Sequence, residues 1–365
     1  MLIAKNLTAN FLFFLCCLLS LIVSVLTSYN NGTWYINIAS YTIPILILTI
    51  VVCTFFLMLF SKFYHVVFAI VLLVSLNKPI TESFSLGYIT SEIAKHDECP
   101  LNVMTFNVST FNRYRTEAFM NDDSIFRTEF FKYLKLVPDD LDILCLQEFH
   151  NDDSENQRVI DEIVKYTGAK YYFTIPIWES WNDGYFGIIT FSKYPIINKG
   201  TLFTDDNAFN RGIFTDVLYQ QDTIRIINIH LHSMNIRWYP QDTSTSLSDK
   251  LRLIAHSLKE GSLLSKFQID QVVEFIRKSP YPIVLCGDFN TFPYGYPYQE
   301  VKKVLVNSFE SSGKGFGYTL NLAPYFVRLD NQFTSKEIRS VESKVIRKIN
   351  QSDHFPLVAK YVIRK

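Results

Sequence analysis

Carboxylate, amide and imidazole side chains stand where several apolar runs of this sequence stop. VMTFNV reaches Asn107, DILCLQEF reaches Glu148 and IRIINIHLHS reaches His230; PIVLCGDFN brings Asp288 and Asn290, and QSDHFPLV opens with Asp353 and His354. Imidazole titrates near neutral pH, and a carboxylate beside it fixes its tautomer, so such pairs suit proton transfer to and from water. The chemistry requires the ends of these five runs to lie side by side.

The runs themselves read as buried strands, short and rich in β-branched residues: 101–107, 141–147, 186–191, 213–218, 223–229, 283–285 and 355–362. Helical periodicity marks 124–136, 156–166 and 263–278, the last with Leu263, Leu264, Phe267, Val272, Phe275 and Ile276 on one face. The elements alternate without a strict strand–helix rhythm, so the expected class is α/β (α+β), with a mixed sheet covered by helices. Ligands of open α/β sheets bind outside the strand ends, where these polar residues stand.

The ordered set QE, HLHS, GDFN and SDH resembles the endonuclease/exonuclease/phosphatase superfamily across residues 100–364. The resemblance implies a four-layer α/β sandwich, two packed mixed β-sheets flanked by helices. It also implies hydrolysis of phosphate esters with a divalent metal, Mg²⁺, or Mn²⁺ as the alternative. Residue by residue, Glu148 would be the principal metal ligand, Asn107 would support the metal side and Asp353 would complete it. Hard carboxylate and amide oxygens suit Mg²⁺. Asp288 and Asn290 would orient the attacking water and hold the phosphate, and His230 would contact the phosphate and its developing charge. His354 would be a general base or a transition-state stabiliser; the acceptor of the water's proton stays open between Asp288 and His354. Asp330, in VRLDNQF, matches the family aspartate that orients the SDH histidine, although Asn331-Gln332 stands where the family has an aromatic or aliphatic residue.

The 365 residues carry Lys+Arg 35 and Asp+Glu 35. Residues 1–98 hold 4 of each sign, which leaves 31 of each for 99–365. The positive mean hydropathy of +0.10 therefore belongs to the first part. Apolar runs at about 7–27, 38–60 and 63–80 approach the ~20 residues that a helix needs to cross a bilayer. They predict an N-terminal bundle of about three transmembrane helices over 1–80, a linker over 81–99 and a catalytic domain over 100–365, with two spans as the alternative. A cleaved signal peptide would account for the first run only. Lys5 and Lys62 mark cytoplasmic ends by the positive-inside rule. That sets the catalytic domain outside the cytoplasm of a multi-pass cell-membrane protein, with the lipid bilayer as its partner and no obligate protein partner inferred.

The substrate stays open between nucleic acid and a phospholipid headgroup. Neutrality of 99–365 weakens the nucleic-acid reading, because duplex binding rests on phosphate neutralisation by Lys and Arg. A catalytically inactive binding or scaffold module that retains the fold is the rival, and its mark would be a broken site. GKGFGYTL lacks the strand–loop–Lys-Ser/Thr context of a phosphate loop and reads as a surface loop. His65, His96, His150 and His256 read as surface or membrane-edge residues, and Cys145 and Cys286 as buried free thiols. Alternation sets His230 and His232 on one face, and the resemblance selects His230. Trp178, Trp181, Tyr185 and Phe186 read as a substrate-facing loop or as core.

Overall fold

A computed structural model describes residues 2–60, 63–87, 100–112, 131–152, 159–179, 184–204, 210–234, 246–322, 327–347 and 352–364. The chain divides into two compact units. One comprises Met1–Phe84, Met234–Leu263 and Pro293–Gln299; the other comprises Ser85–Ser233, Leu264–Phe292 and Glu300–Lys365.

The first unit contains α1 (Leu2–Ser28), α2 (Trp34–Ser40), α3 (Ile43–Phe60), α4 (Phe63–Ser75) and α5 (Asn77–Ser83). Within α1, the 23 residues Asn6–Ser28 are long and apolar enough to cross a membrane. The other two expected spans are bent, α2 against α3 by 42° and α4 against α5 by 57°. The described residues thus hold one such helix, or up to three if each bent pair is one span. Proline accounts for both breaks, since its ring clashes with the carbonyl four residues earlier and removes a backbone donor. Helix α2 ends at Ser40, before Pro44, and α4 ends at Ser75, before Pro79. Asn37 is buried in this unit: its side chain donates to Ser262 Oγ at 2.9 Å and accepts from Tyr296 N at 2.7 Å.

The second unit is built on strands. In chain order they are β1 (Ser85–Leu86), β2 (Leu101–Asn107), β3 (Ile143–Asp152), β4 (Tyr171–Glu179), β5 (Gly184–Ser192), β6 (Ile196–Thr204), β7 (Arg211–Tyr219), β8 (Asp222–His230), β9 (Ile283–Asp288), β10 (Val306–Asn307), β11 (Lys314–Gly315), β12 (Asp330–Thr334), β13 (Ile338–Val345) and β14 (Leu357–Ile363). One six-stranded sheet has the order β13-β14-β2-β3-β5-β4 and the other β10-β12-β9-β8-β7-β6; β1 pairs with β11 separately. Each large sheet is mixed around one parallel pair, β2–β3 in the first and β8–β9 in the second.

Period-two alternation decides which side chains meet. Leu101, Val103, Ile143 and Cys145 of the first sheet pack against Val217, Ile224, Ile226, Val284 and Cys286 of the second, forming the seam between them. The opposite face of the first sheet, with Met104, Phe106, Leu144 and Leu146, packs against α6 (Val159–Thr167) through Val159, Ile160 and Ile163. On the outer face of the second sheet, Phe214 meets Phe275 of α7 (Leu247–Arg277). The architecture is two packed mixed sheets flanked by helices.

Several expectations change. The helix expected at 263–278 begins at Leu247. The strand expected at 141–147 runs on to Asp152 after a bulge. The glycine-rich 313–320 segment is no plain surface loop: Lys314–Gly315 pairs with Ser85–Leu86 and Thr319 is fully buried. His150 is buried against the Phe186 ring, and His65 lies buried against Phe13. His96, Trp181, most of the 124–136 helix and linker residues 88–99 lie outside the described residues.

Candidate active site

Parity carries the polar residues to one place. In β2 the seam-facing series Leu101, Val103 continues to Asn107, and in β9 Val284, Cys286 continues to Asp288. In β8 Ile224, Ile226 continues through Asn228 to His230. Parallel strands finish at the same edge, and antiparallel neighbours begin there. Register confirms the row: Arg211 pairs with His230, His230 with Asp288, and Asp288 with Asp330. Four side chains on adjacent strands therefore share one face at one end of the seam.

Glu148 requires a backbone device. It follows Gln147, which faces the seam and bonds Thr105 Oγ1 at 3.0 Å and Asn228 Oδ1 at 2.7 Å. Plain alternation would turn the next residue away. Instead Glu148 has φ 49°, and the β3–β5 register shifts between Leu146 and Phe149. A non-glycine residue held there costs about 1–2 kcal/mol, and such strain concentrates at functional sites. Asn290, with φ 48°, is the second site residue in this conformation. Gly287 is required in GDFN for a separate reason. Its φ is 138°, and a Cβ there would fall 1.9 Å from Ile229 O on the neighbouring strand.

Asn107 Nδ2 donates to Glu148 Oε1 and to Asp288 Oδ2, both at 3.0 Å. His230 Nε2 faces the same two oxygens at 3.6 and 3.7 Å. His354 Nδ1 lies 2.8 Å from Asp330 Oδ2, and its Nε2 faces Asp288 Oδ2 at 3.7 Å. Asp288 Oδ1 accepts from Asn290 N at 2.8 Å, and Asn290 Nδ2 donates to Leu231 O at 2.8 Å. Asp353 has its main-chain oxygen bonded to Asn321 N at 2.7 Å, and its carboxylate adds to the negative field on His354. His232 is separated from His230 by its partner, since its Nδ1 meets Ser233 O at 2.7 Å.

Burial divides the acids. Asp288, Asp330, His230 and His354 are buried, whereas the Glu148 side chain is 36% exposed. Burial works against a charged His354, but the Asp330 and Asp288 carboxylates outweigh it and hold the imidazole well above its ordinary range. Burial also pushes Asp330 up, against the pull of the His354 charge. Asp288, Asp330 and His354 bring one ligand atom each to within 4.8 Å of one another, as a metal-binding group would. The 2.8 Å bond between Nδ1 and Asp330 makes a histidine–carboxylate relay the better description of that pair.

Supporting residues escaped the sequence reading. Thr319 Oγ1 accepts from Leu329 N and Asp330 N, each at 3.0 Å, and fixes the acid that faces His354. Ser352 Oγ donates to Asn107 O at 2.8 Å and accepts from His354 N at 3.1 Å, linking two motifs. Gln332 donates to Leu357 O at 2.8 Å across the seam. A polar residue inside an apolar strand was the available signal for Gln147, Asn228 and Gln332.

The family model described as Endonuclease/Exonuclease/phosphatase family matches residues 104–354. Among solved structures, an endonuclease/exonuclease/phosphatase from Bacteroides vulgatus is 14% identical, with TM-score 0.51, covering 73% of this chain and 100% of that one. A family protein from Leptotrichia buccalis is 19% identical, with TM-score 0.45 and coverage of 73% and 100%. The human Nocturnin catalytic domain, solved with a bound sulfate anion, is 17% identical, with TM-score 0.47 and coverage of 73% and 96%. No curated protein matches the chain. The family match contains Asn107, Glu148, His230, Asp288, Asp330 and His354, and the chain belongs to the endonuclease/exonuclease/phosphatase family of phosphoester hydrolases.

Proposed function

We propose that this protein is a membrane-anchored, Mg²⁺-dependent phosphodiesterase. The observation that carries the reading is the sharing of one donor, Asn107 Nδ2, by the Glu148 and Asp288 carboxylates, with the Asp330–His354 pair beside them. Two carboxylates that converge on one donor make a concentrated acceptor site that a cation would complete. Glu148 is partly exposed and offers only acceptors, so the donor set fits a hard divalent ion. Glu148 would hold it, with Asn107 Nδ2 orienting that carboxylate and Asp353 as the further ligand that the resemblance implies. When bound, such an ion neutralises charge on the phosphate oxygens.

The remaining chemistry belongs to the chain. Asp288, fixed by Asn290 N and Asn107, orients the attacking water and takes its proton. His354 is held protonated by Asp330 and Asp288, so it has no lone pair to serve as base and instead stabilises developing negative charge. His230 contacts the phosphate. Apolar helix Asn6–Ser28 and the two bent pairs support the anchor, with the catalytic part outside the cytoplasm from the positions of Lys5 and Lys62. A lipid headgroup is the favoured substrate over nucleic acid, given the anchor and the neutral charge.

The test uses the full chain in detergent or nanodiscs with Mg²⁺, against an activated phosphodiester, DNA, RNA, phosphatidylcholine and sphingomyelin. Turnover lost in Glu148→Ala and in His354→Ala supports the reading. No turnover on any substrate, with no Mg²⁺-dependent rise in melting temperature, favours the inactive scaffold.

A further inference from the structure

Helix α7 carries one stripe along its length, and only part of it is covered. Its C-terminal half is buried through Ile269, Val272 and Ile276. Steps of three and four residues keep the same face of a helix. They lead back through Ser265 and Ser262, both buried, to Leu258, Ile254, Leu251 and Leu247. There the cover stops: Leu258 and Ile254 are half-buried, Leu251 is 58% exposed and Leu247 74%. The opposite side of these first turns is charged, with Arg252 facing Asp249 at 3.9 Å and His256 facing Glu260 at 3.7 Å. The result is an amphipathic stretch of about four turns whose apolar side has no protein against its first half.

Its neighbours say what covers it. Residues 234–263 belong to the same compact unit as α1 to α5. Just past the bare stretch, Ser262 Oγ accepts from Asn37 Nδ2 at 2.9 Å, and Lys259 Nζ lies 6.0 Å from the centroid of the Trp34 ring. Trp34 and Asn37 form the first turn of α2, where the bent pair Trp34–Ser40 and Ile43–Leu59 begins, apolar enough together to cross a membrane. Tryptophan at the end of such a span stands at headgroup level, so α7 meets the apolar helices at the lipid–water boundary. Helices α1 and α3 of this unit expose Phe11, Phe14, Leu48 and Phe55, as lipid-facing helices do. An amphipathic helix beside that boundary lies in it, with its apolar side among the acyl chains.

We propose that the first turns of α7 form an interfacial helix, which seats Leu247, Leu251, Ile254 and Leu258 in the surface of the bilayer that the N-terminal helices cross. The inference rests on the membrane-anchor part of the reading above and adds a second, peripheral lipid contact to it. That contact comes from the connection between β8 and β9, far along the chain from the apolar helices. Charge on these turns nearly cancels, Lys250, Arg252 and Lys259 against Asp249 and Glu260. Apolar burial therefore holds the helix down, and a neutral lipid is a sufficient probe.

The experiment reconstitutes the full chain in phosphatidylcholine vesicles that carry a phospholipid with a photoactivatable diazirine high on its acyl chain. Lipid adducts are mapped by peptide mass spectrometry for wild type and for Leu247→Glu combined with Leu251→Glu. Wild type should carry adducts on 247–258 as well as on α1 and α3. The double variant should lose those on 247–258 by about tenfold or more, since burying even one leucine shifts a partition that far. Its adducts on α1 and α3 and its melting temperature in detergent should stay at wild-type values, because both leucines are exposed. Adducts on α1 and α3 with none on 247–258 overturn this inference and leave the anchor reading standing. Adducts on none of the three segments sink the anchor reading itself. A dimer in detergent that the double variant turns into a monomer, seen by sedimentation, gives the face to a second copy of the chain and overturns the proposal.

Discussion

Asp330→Asn removes a charge and almost nothing else. The substitution keeps the size and one acceptor oxygen at a wholly buried position, 2.8 Å from His354 Nδ1. Asp330 is the nearer of the two carboxylates that hold His354 protonated, Asp288 being 3.7 Å away. Groups that move or stabilise a proton in the transition state contribute about 10²–10⁴ in rate. With the amide oxygen still able to orient the ring, the expected loss in kcat/KM is about 10²–10³, or about 3–4 kcal/mol. The sign of the pH effect follows from the cause. Activity that needs the imidazolium falls as pH rises through its pKa; removing Asp330 lowers that pKa, so the alkaline limb moves to lower pH. The assay is kcat/KM for an activated phosphodiester at saturating Mg²⁺ across acid to alkaline pH. A loss below about tenfold with an unmoved alkaline limb would refute the relay and leave Asp330 a structural acid.

Asn228→Leu should leave Gln147 Nε2 without its 2.7 Å acceptor and Ile189 O without its 3.0 Å donor; at about 1–3 kcal/mol per unmet buried group, the stability loss is about 2–5 kcal/mol, read from the denaturation midpoint. Chelation should abolish turnover and Mg²⁺ restore it, and Glu148→Gln should raise the Mg²⁺ concentration needed for half-maximal rate. Gly287→Ala should fail to fold or melt far below wild type, since its methyl would meet Ile229 O at 1.9 Å; a normal melting curve would show that β8 and β9 can separate.

Strand ends were legible because buried β-runs are continuous and apolar, so the polar residue that ends each run stands out. Runs 101–107 and 223–229 match β2 and β8 closely. Edge strands β4 and β6 and the polar β13 gave no such signal: sequences like INKGT in β6 and SVESK in β13 are half-exposed and resemble loops. Helix α7 extends beyond 263–278, and its first turns, 247–260, contain no buried residue, so no buried apolar period marks them. Asp330 has no local signal beyond the family pattern; its place opposite Asp288 comes from the pairing of β12 with β9.

By itself the sequence determined the identity and order of the reactive groups, the apolar character of the N-terminal helices and the family, since each depends on local pattern. It did not determine convergence. Asn107 and Asp288 share a hydrogen bond across 181 residues of chain, and only sheet order and register make the ends of β2, β3, β8 and β9 coincide. Tertiary structure also decided which histidine faces a carboxylate and turned Glu148 into the site through a bulge. Those outcomes depend on which strands are neighbours, and a pattern that repeats every two residues records a face without naming what lies opposite it.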